Sequence, residues 1–304
     1  MAASHLLMIR PAAFGYNPET AVNNAFQQAG NHAGISEKAQ QEFDAFVDLL
    51  DENDIDVTVV HDTPEPHTPD AIFPNNWFST HADGTLCLFP MFAENRRLER
   101  KQAVLDTLKN KFDVKHIVDF TAYETQQKFL EGTGSMVLDR ENHIAYACLS
   151  PRTDKQVLLD FCKKLGHAPC CFNATDKNGT AIYHTNVMMC IGEQDAIVCL
   201  ESITDDEQRN ALAETLENTG KTIIPITIQQ VQHFVGNMLE VKNLYHKNFL
   251  ILSQTAYRAL TPEQTAKLQL NNKILLHPDL HTIETHGGGS ARCMLAEIFL
   301  DRSR

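Results

Sequence analysis

One pattern governs what this chain can fold into: a hairpin, a helix and a further strand recur along it, about 50 to 60 residues apart. In the first clear copy, strands over 77–80 and 86–89 flank a turn at Asp83-Gly84. A helix over 96–111 and a strand over 114–120 follow. The second copy pairs 135–138 with 144–147 and continues into a helix over 153–165. The third has strands over 187–191 and 196–200, a helix over 205–218 and a strand over 222–228. The fourth has strands over 238–241 and 249–252, a helix over 262–270 and a strand over 273–277. Leading strands thus begin near Trp77, Met136, Val187 and Met238, and Cys293 is expected to open a fifth. Ahead of them lie a short buried strand over 6–9, stopped by Pro11, an amphipathic helix over 36–52 and a strand over 55–60. Such a repeat predicts a ring or propeller in which each unit packs on its neighbours. No Pro/Ser-rich linker interrupts it, so residues 1–304 read as one domain.

Composition narrows the partners. The net charge is −13 and no lysine/arginine block stands out, which argues against nucleic acid or an anionic membrane. No apolar run reaches transmembrane length, and the N-terminus lacks the basic and apolar regions of a signal peptide. The eight cysteines form no C-x-x-C pair, and most sit inside apolar runs such as 188–191 and 197–200. They read as core hydrophobes of a reduced, cytoplasmic protein without disulfides or zinc.

One cysteine is different. Cys293 follows Gly287-Gly288-Gly289 and stands beside Arg292, a setting expected to favour the thiolate. The glycines would let bare backbone N–H groups approach a ligand. Each leading strand likewise begins with polar or Gly-rich residues: Asn75-Asn76, Glu131 to Gly134, His184 to Asn186, and Gly236-Asn237. Taken singly, each has an ordinary explanation as a turn or a surface histidine. At equivalent points of repeated units they bring together a thiol, an imidazole and a carboxylate. That is the set nucleophilic catalysis requires.

These residues also resemble a known family. The stretches Asp70 to Asn76, Glu131 to Gly134, Leu149 to Thr153, His184 to Asn186 and the glycine-rich end before Cys293 are similar to the pentein superfamily of guanidine-modifying enzymes. The likeness covers almost the whole chain and implies a five-fold pseudosymmetric α/β propeller. It implies Cys293 as nucleophile, His184 as general acid/base and Glu131 as the carboxylate holding the imidazole. Asp70 would bind substrate, and Arg152 with Arg96 would hold the substrate α-carboxylate, the choice between Arg96 and Arg97 staying open. The role of Asn237 stays open too.

The departures carry specificity. Where deiminases and dimethylarginine hydrolases commonly have an acidic pair, this chain has Asn75-Asn76, and Asn186 stands where arginine deiminases have an aspartate. Carboxylates serve a cationic, bidentate guanidinium, whereas an amide both donates and accepts and suits a neutral ureido group. The chain therefore looks most like the citrulline ureidase branch, which implies hydrolysis of L-citrulline to ornithine, ammonia and carbon dioxide. The alternatives are a deiminase, dihydrolase or amidinotransferase acting on arginine or methylarginine, and a non-catalytic pentein that only binds. No metal or other cofactor is expected, because sulfur supplies the nucleophile. The expected partner is an amino-acid substrate, with a homo-oligomer left open.

Overall fold

The computed structural model describes residues 1–30, 34–270 and 273–303. Strands β1 (His5–Arg10) and β2 (Asp56–His61) pair in parallel, Leu6 opposite Val57. Four three-stranded sheets follow in chain order. They are β3 (Phe78–Thr80), β4 (Thr85–Leu88) and β5 (His116–Asp119); β6 (Val137–Asp139), β7 (Ile144–Cys148) and β8 (Ala168–Phe172). Then come β9 (Met189–Ile191), β10 (Asp195–Val198) and β11 (Thr222–Pro225); and β12 (Leu239–Lys242), β13 (Asn248–Ile251) and β14 (Ile274–Leu276). In each, the first two strands form an antiparallel hairpin and the third adds in parallel after a helical crossover. The last strand, β15 (Ala296–Glu297), pairs antiparallel with β1, Leu7 opposite Ala296. The incomplete first sheet is therefore finished by the end of the chain, which closes the ring and gives five equivalent sheets.

The sheets meet through their leading strands: β15 touches β3, β6 touches β9, and β9 touches β12. A bridge from Ala3 to Val241 joins the fifth sheet back to the first. Helices cover the outside. That over Ile35–Asp51 buries Ala39, Phe43, Phe46 and Leu50, a spacing that lines one face. Apolar residues of neighbouring sheets and helices merge into shared clusters, one running from Tyr146 through Val198 to Leu252. Among the described residues no helix is long and apolar enough to cross a membrane.

Several expected elements differ. The leading strands are shorter, because each begins with a single tight turn at the crowded axis. Backbone bonds from Asn76 to Phe73, Gly134 to Glu131, Val187 to His184, Asn237 to Phe234 and Cys293 to Ser290 close these turns in all five units. An extended segment there would leave its N–H groups without partners; a turn satisfies them locally. Cys293 thus lies on a turn and not on a strand, which begins at Ala296. The helix expected over 96–111 divides into Glu94–Arg97 and Gln102–Lys111. Strand β8, which sequence reading passed over, carries Pro169 on its exposed outer edge.

Gly132 shows how tightly the axis is drawn. Its φ is +48°, and a Cβ there would lie 2.4 Å from the Asn75 carbonyl oxygen. Gly166 caps the helix Lys155–Leu165 at φ +70° with nothing within 4 Å. Gly166→Ala is expected to cost about 1 kcal/mol, and Gly132→Ala more than about 3 kcal/mol because backbone must also move. Equal losses in denaturant melts of the two variants would contradict the close approach.

Candidate active site

The five axial turns carry Asn76, Glu131, His184, Asn186, Asn237 and Cys293, and most of these converge with Asp70, Arg96 and Arg152 on one buried pocket. Asp70, Asn76, Arg96, Arg152, His184 and Cys293 line it. Glu131 lies at its base, fully buried. Asn75 stands behind Asn76, its Oδ1 accepting from Asn76 Nδ2 at 3.1 Å. Asn186 reaches the sulfur from the side, with Nδ2 3.7 Å from Cys293 Sγ. Arg96, not Arg97, faces the pocket; Arg97 donates to the carbonyls of Met91 and Phe92.

Glu131 and His184 are joined directly, Nε2 to Oε2 at 2.8 Å. The other Glu131 oxygen accepts from the Phe92 backbone N–H at 3.0 Å. Burial alone would push the Glu131 carboxyl up, but Arg152 at 3.5 Å, the His184 bond and Arg96 at 3.9 Å outweigh it. Its pKa therefore falls well below the usual carboxylate range. Burial lowers His184 to about 4, with Glu131 opposing. At neutral pH the pair is a carboxylate and a neutral imidazole whose Nδ1 lies against Gly134.

Asp70 is held as a single-sided acceptor. Its Oδ2 accepts from Asn17 Nδ2 at 2.8 Å and Thr20 Oγ1 at 3.0 Å, while Oδ1 is buried without a partner. Burial raises its pKa and Arg96 opposes. The donors of Arg96 are spent on Glu99, on Asn76 Oδ1 at 2.8 Å and on the Phe73 carbonyl. Arg152 donates to Asn23 Oδ1 at 2.8 Å and to the Thr20 carbonyl at 2.7 Å.

The surroundings of Cys293 differ from expectation. Arg292 turns away, donating to the Leu295 carbonyl and to Glu297. Two amides meet the sulfur instead: Asn186 and, at 3.3 Å through Nδ2, Asn237. All three glycines line the pocket, and two features of their backbone geometry depend on the missing side chain. Gly288 ends the helix His281–Gly287 at φ +64°, its N–H donating to the Glu284 carbonyl. Gly287 and Gly289 leave room for the Phe73 ring, 2.9 Å from where a Cβ would sit.

Sequence reading missed the segment that closes the site. Asn17, Thr20 and Asn23 bind Asp70 and Arg152, and Asn24 and Gln27 donate to the Gly288 and Gly287 carbonyls. Nothing in the local pattern of 17–28 marks it as part of a site, since its partners are 50 or more residues away. It shuts the pocket down to about 10 Å³, near the space of one water. A larger cavity of about 660 Å³ lies along its outer side and shares Asn24 and Tyr183, but contains none of Cys293, His184 and Glu131. The chemistry belongs to the smaller space.

The family model described as N,N dimethylarginine dimethylhydrolase, eukaryotic, matches residues 10–300. No curated protein matches the chain in sequence. Among solved structures, apo ArgZ, an arginine dihydrolase of the cyanobacterial ornithine-ammonia cycle, has a TM-score of 0.76 at 16% identity. That match covers 98% of this chain but only 40% of ArgZ. The substrate-bound mutant N-terminal domain of ArgZ matches with TM-score 0.76 and 16% identity over 98% of both chains. A dimethylarginine dimethylaminohydrolase in adduct with S-methyl-L-thiocitrulline has TM-score 0.68 and 14% identity, covering 97% of this chain and 100% of the other. These likenesses establish the fold, the five-bladed α/β propeller of the pentein enzymes.

The charge state of His184 is open to measurement. With a folded pKa below the ordinary 6.5, the neutral form is favoured by folding. Its stabilisation is complete above 6.5 and is lost as pH falls toward about 4. His184→Gln should therefore lose about 2 kcal/mol less stability than wild type between pH about 7.5 and about 5. Parallel losses in urea melts of the two proteins would contradict a buried neutral imidazole.

Proposed function

The chain belongs to the N,N dimethylarginine dimethylhydrolase family, and from that premise we propose a thiol hydrolase that frees ornithine from the ureido group of L-citrulline. The reading takes residues 1–304 as one catalytic domain, with Cys293 as nucleophile and the Glu131–His184 pair as acid/base unit. One observation carries the choice of substrate. The polar side chains that reach Cys293 are amides, Asn186 and Asn237, and the unpartnered buried oxygens of the site are one carboxylate oxygen, Asp70 Oδ1, and one amide oxygen, Asn186 Oδ1. A guanidinium needs paired oxygens for its bidentate grip. Here Asp70 and Glu131 each already face a buried guanidinium within 4 Å. A neutral ureido group asks less: its oxygen accepts from amides, and one N–H donates to Asp70.

In this reading the Cys293 thiol gives its proton to neutral His184 as the sulfur attacks the ureido carbon, and His184 passes that proton to the departing nitrogen. Water then attacks the thioester-like carbon, His184 taking its proton, and sulfur leaves. Ornithine, ammonia and carbon dioxide result from one citrulline and one water, with unassisted loss of carbon dioxide from carbamate. Amide N–H donors near the carbon stabilise the charge that develops on oxygen, where a carboxylate would repel it.

A second reading has direct support in the likeness to ArgZ, named as an arginine dihydrolase. Arginine hydrolysed through to ornithine passes a ureido stage, so the same residues would serve its second half. A dimethylated guanidinium, as in the family's description, is cationic as well and needs room for two methyl groups beside the sulfur.

Separate incubation with L-citrulline, L-arginine and dimethylarginine, followed by amino-acid analysis, decides among them. Ornithine and ammonia from citrulline are expected. Ornithine from arginine with citrulline untouched would favour the second reading, and no product from any would reject the enzyme. Within the first reading, Asn186→Asp should lower kcat/KM for citrulline by about 10²-fold or more, through loss of a donor and repulsion of the oxyanion. An unchanged value would remove Asn186 from the site.

A further inference from the structure

We propose that Asn237 is a further catalytic residue, whose side-chain N–H holds the Cys293 sulfur as the attacking thiolate while its oxygen anchors the nucleophile's backbone. The inference rests on Cys293 being the nucleophile. Asn237 is fully buried, and every hydrogen-bonding group on its side chain is engaged. Its Oδ1 accepts from the Arg292 backbone N–H at 3.0 Å. Its Nδ2 donates to the Asn186 carbonyl at 2.9 Å and lies 3.3 Å from Cys293 Sγ. These partners fix which way the amide points. A flipped amide would set NH₂ against the Arg292 N–H and oxygen against the Asn186 carbonyl, two clashes of like polarity. A protonated thiol can donate to Oδ1 at 3.7 Å, but the nearer contact is N–H, which a thiolate accepts.

The neighbouring glycine explains how Asn237 comes to be there. A Cβ on Gly236 would lie 2.3 Å from the Val187 carbonyl oxygen and 2.7 Å from the Met188 carbonyl carbon. Only a bare backbone presses so closely on the turn that follows His184. Asn237 then ties that turn, through the Asn186 carbonyl, to the turn bearing Cys293. The imidazole is bonded to Glu131, and no hydrogen bond joins it to the sulfur among the described residues. Arg292 is paired with Glu297. Stabilisation of the sulfur anion is left to amide dipoles, and Asn237 is the nearer of the two.

The test measures the rate at which iodoacetamide alkylates Cys293, followed by peptide mass analysis across a pH series, in wild type, Asn237→Asp and Asn237→Ala. Asn237→Asp keeps the acceptor for Arg292 but sets a carboxylate against the sulfur. It should slow alkylation at neutral pH roughly tenfold or more, with recovery only in alkaline solution. Asn237→Ala should show a smaller slowing in the same direction. The kcat should fall with the alkylation rate, and KM should change little. A folded variant that alkylates with the wild-type rate and pH profile overturns the proposal. So does one that loses kcat and thermal stability without any change in that profile, because that outcome is purely structural. Failure of the underlying reading appears elsewhere, as full turnover by Cys293→Ala, and leaves the alkylation comparison intact.

Discussion

The Glu131 carboxylate, fully buried at the ring axis, is the charge around which this structure is arranged. An isolated buried carboxylate costs far more than folding can supply, so it exists only with its partners in place. Those partners come from widely separated segments: Arg96, Arg152, the Phe92 N–H and His184. The bond to His184 fixes the imidazole's orientation. The ring fold makes this convergence inexpensive, because each unit directs one tight turn at the same axis. Disturbing any one turn would expose the carboxylate's need for compensation in the others.

The sulfur sits in a complementary setting. No cationic side chain hydrogen-bonds to it among the described residues, and its polar neighbours are the amides of Asn186 and Asn237. Amides carry no net charge, so they stabilise an anion without committing the site to a cationic or an anionic substrate. The charged groups nearby largely neutralise one another, Arg96 with Glu99 and Arg152 with Glu131. The pocket that results is small and polar, and the carboxylate oxygen left without a partner in it is Asp70 Oδ1.

Much of the fold was legible in the sequence because hairpins announce themselves locally. Asp83-Gly84 and the apolar runs beside it predict β3 and β4 without any knowledge of distant residues. The composite first sheet was not legible, since β15 is two residues long and its partner β1 lies at the opposite end of the chain. Strand β8 escaped because Pro169 and two cysteines carry little strand signal. Of the site, the sequence pointed to residues whose chemistry is unusual for their setting, such as His184 and Cys293, now found with Asp70, Asn76, Arg96 and Arg152 on one pocket wall. It could not point to Asn17, Thr20 or Asn23, which matter only through hydrogen bonds spanning 50 or more residues. Nor could it tell that Arg292, adjacent to Cys293 in sequence, would turn toward Glu297.

The account stands or falls on a covalent bond between Cys293 and the substrate's ureido carbon. Rapid mixing with citrulline, acid quench and intact-protein mass analysis would look for it directly. The expected result is a transient adduct that maps to the Cys293 peptide and never forms in Cys293→Ala. Steady release of ornithine with no adduct at Cys293, or an adduct on another cysteine, would contradict it.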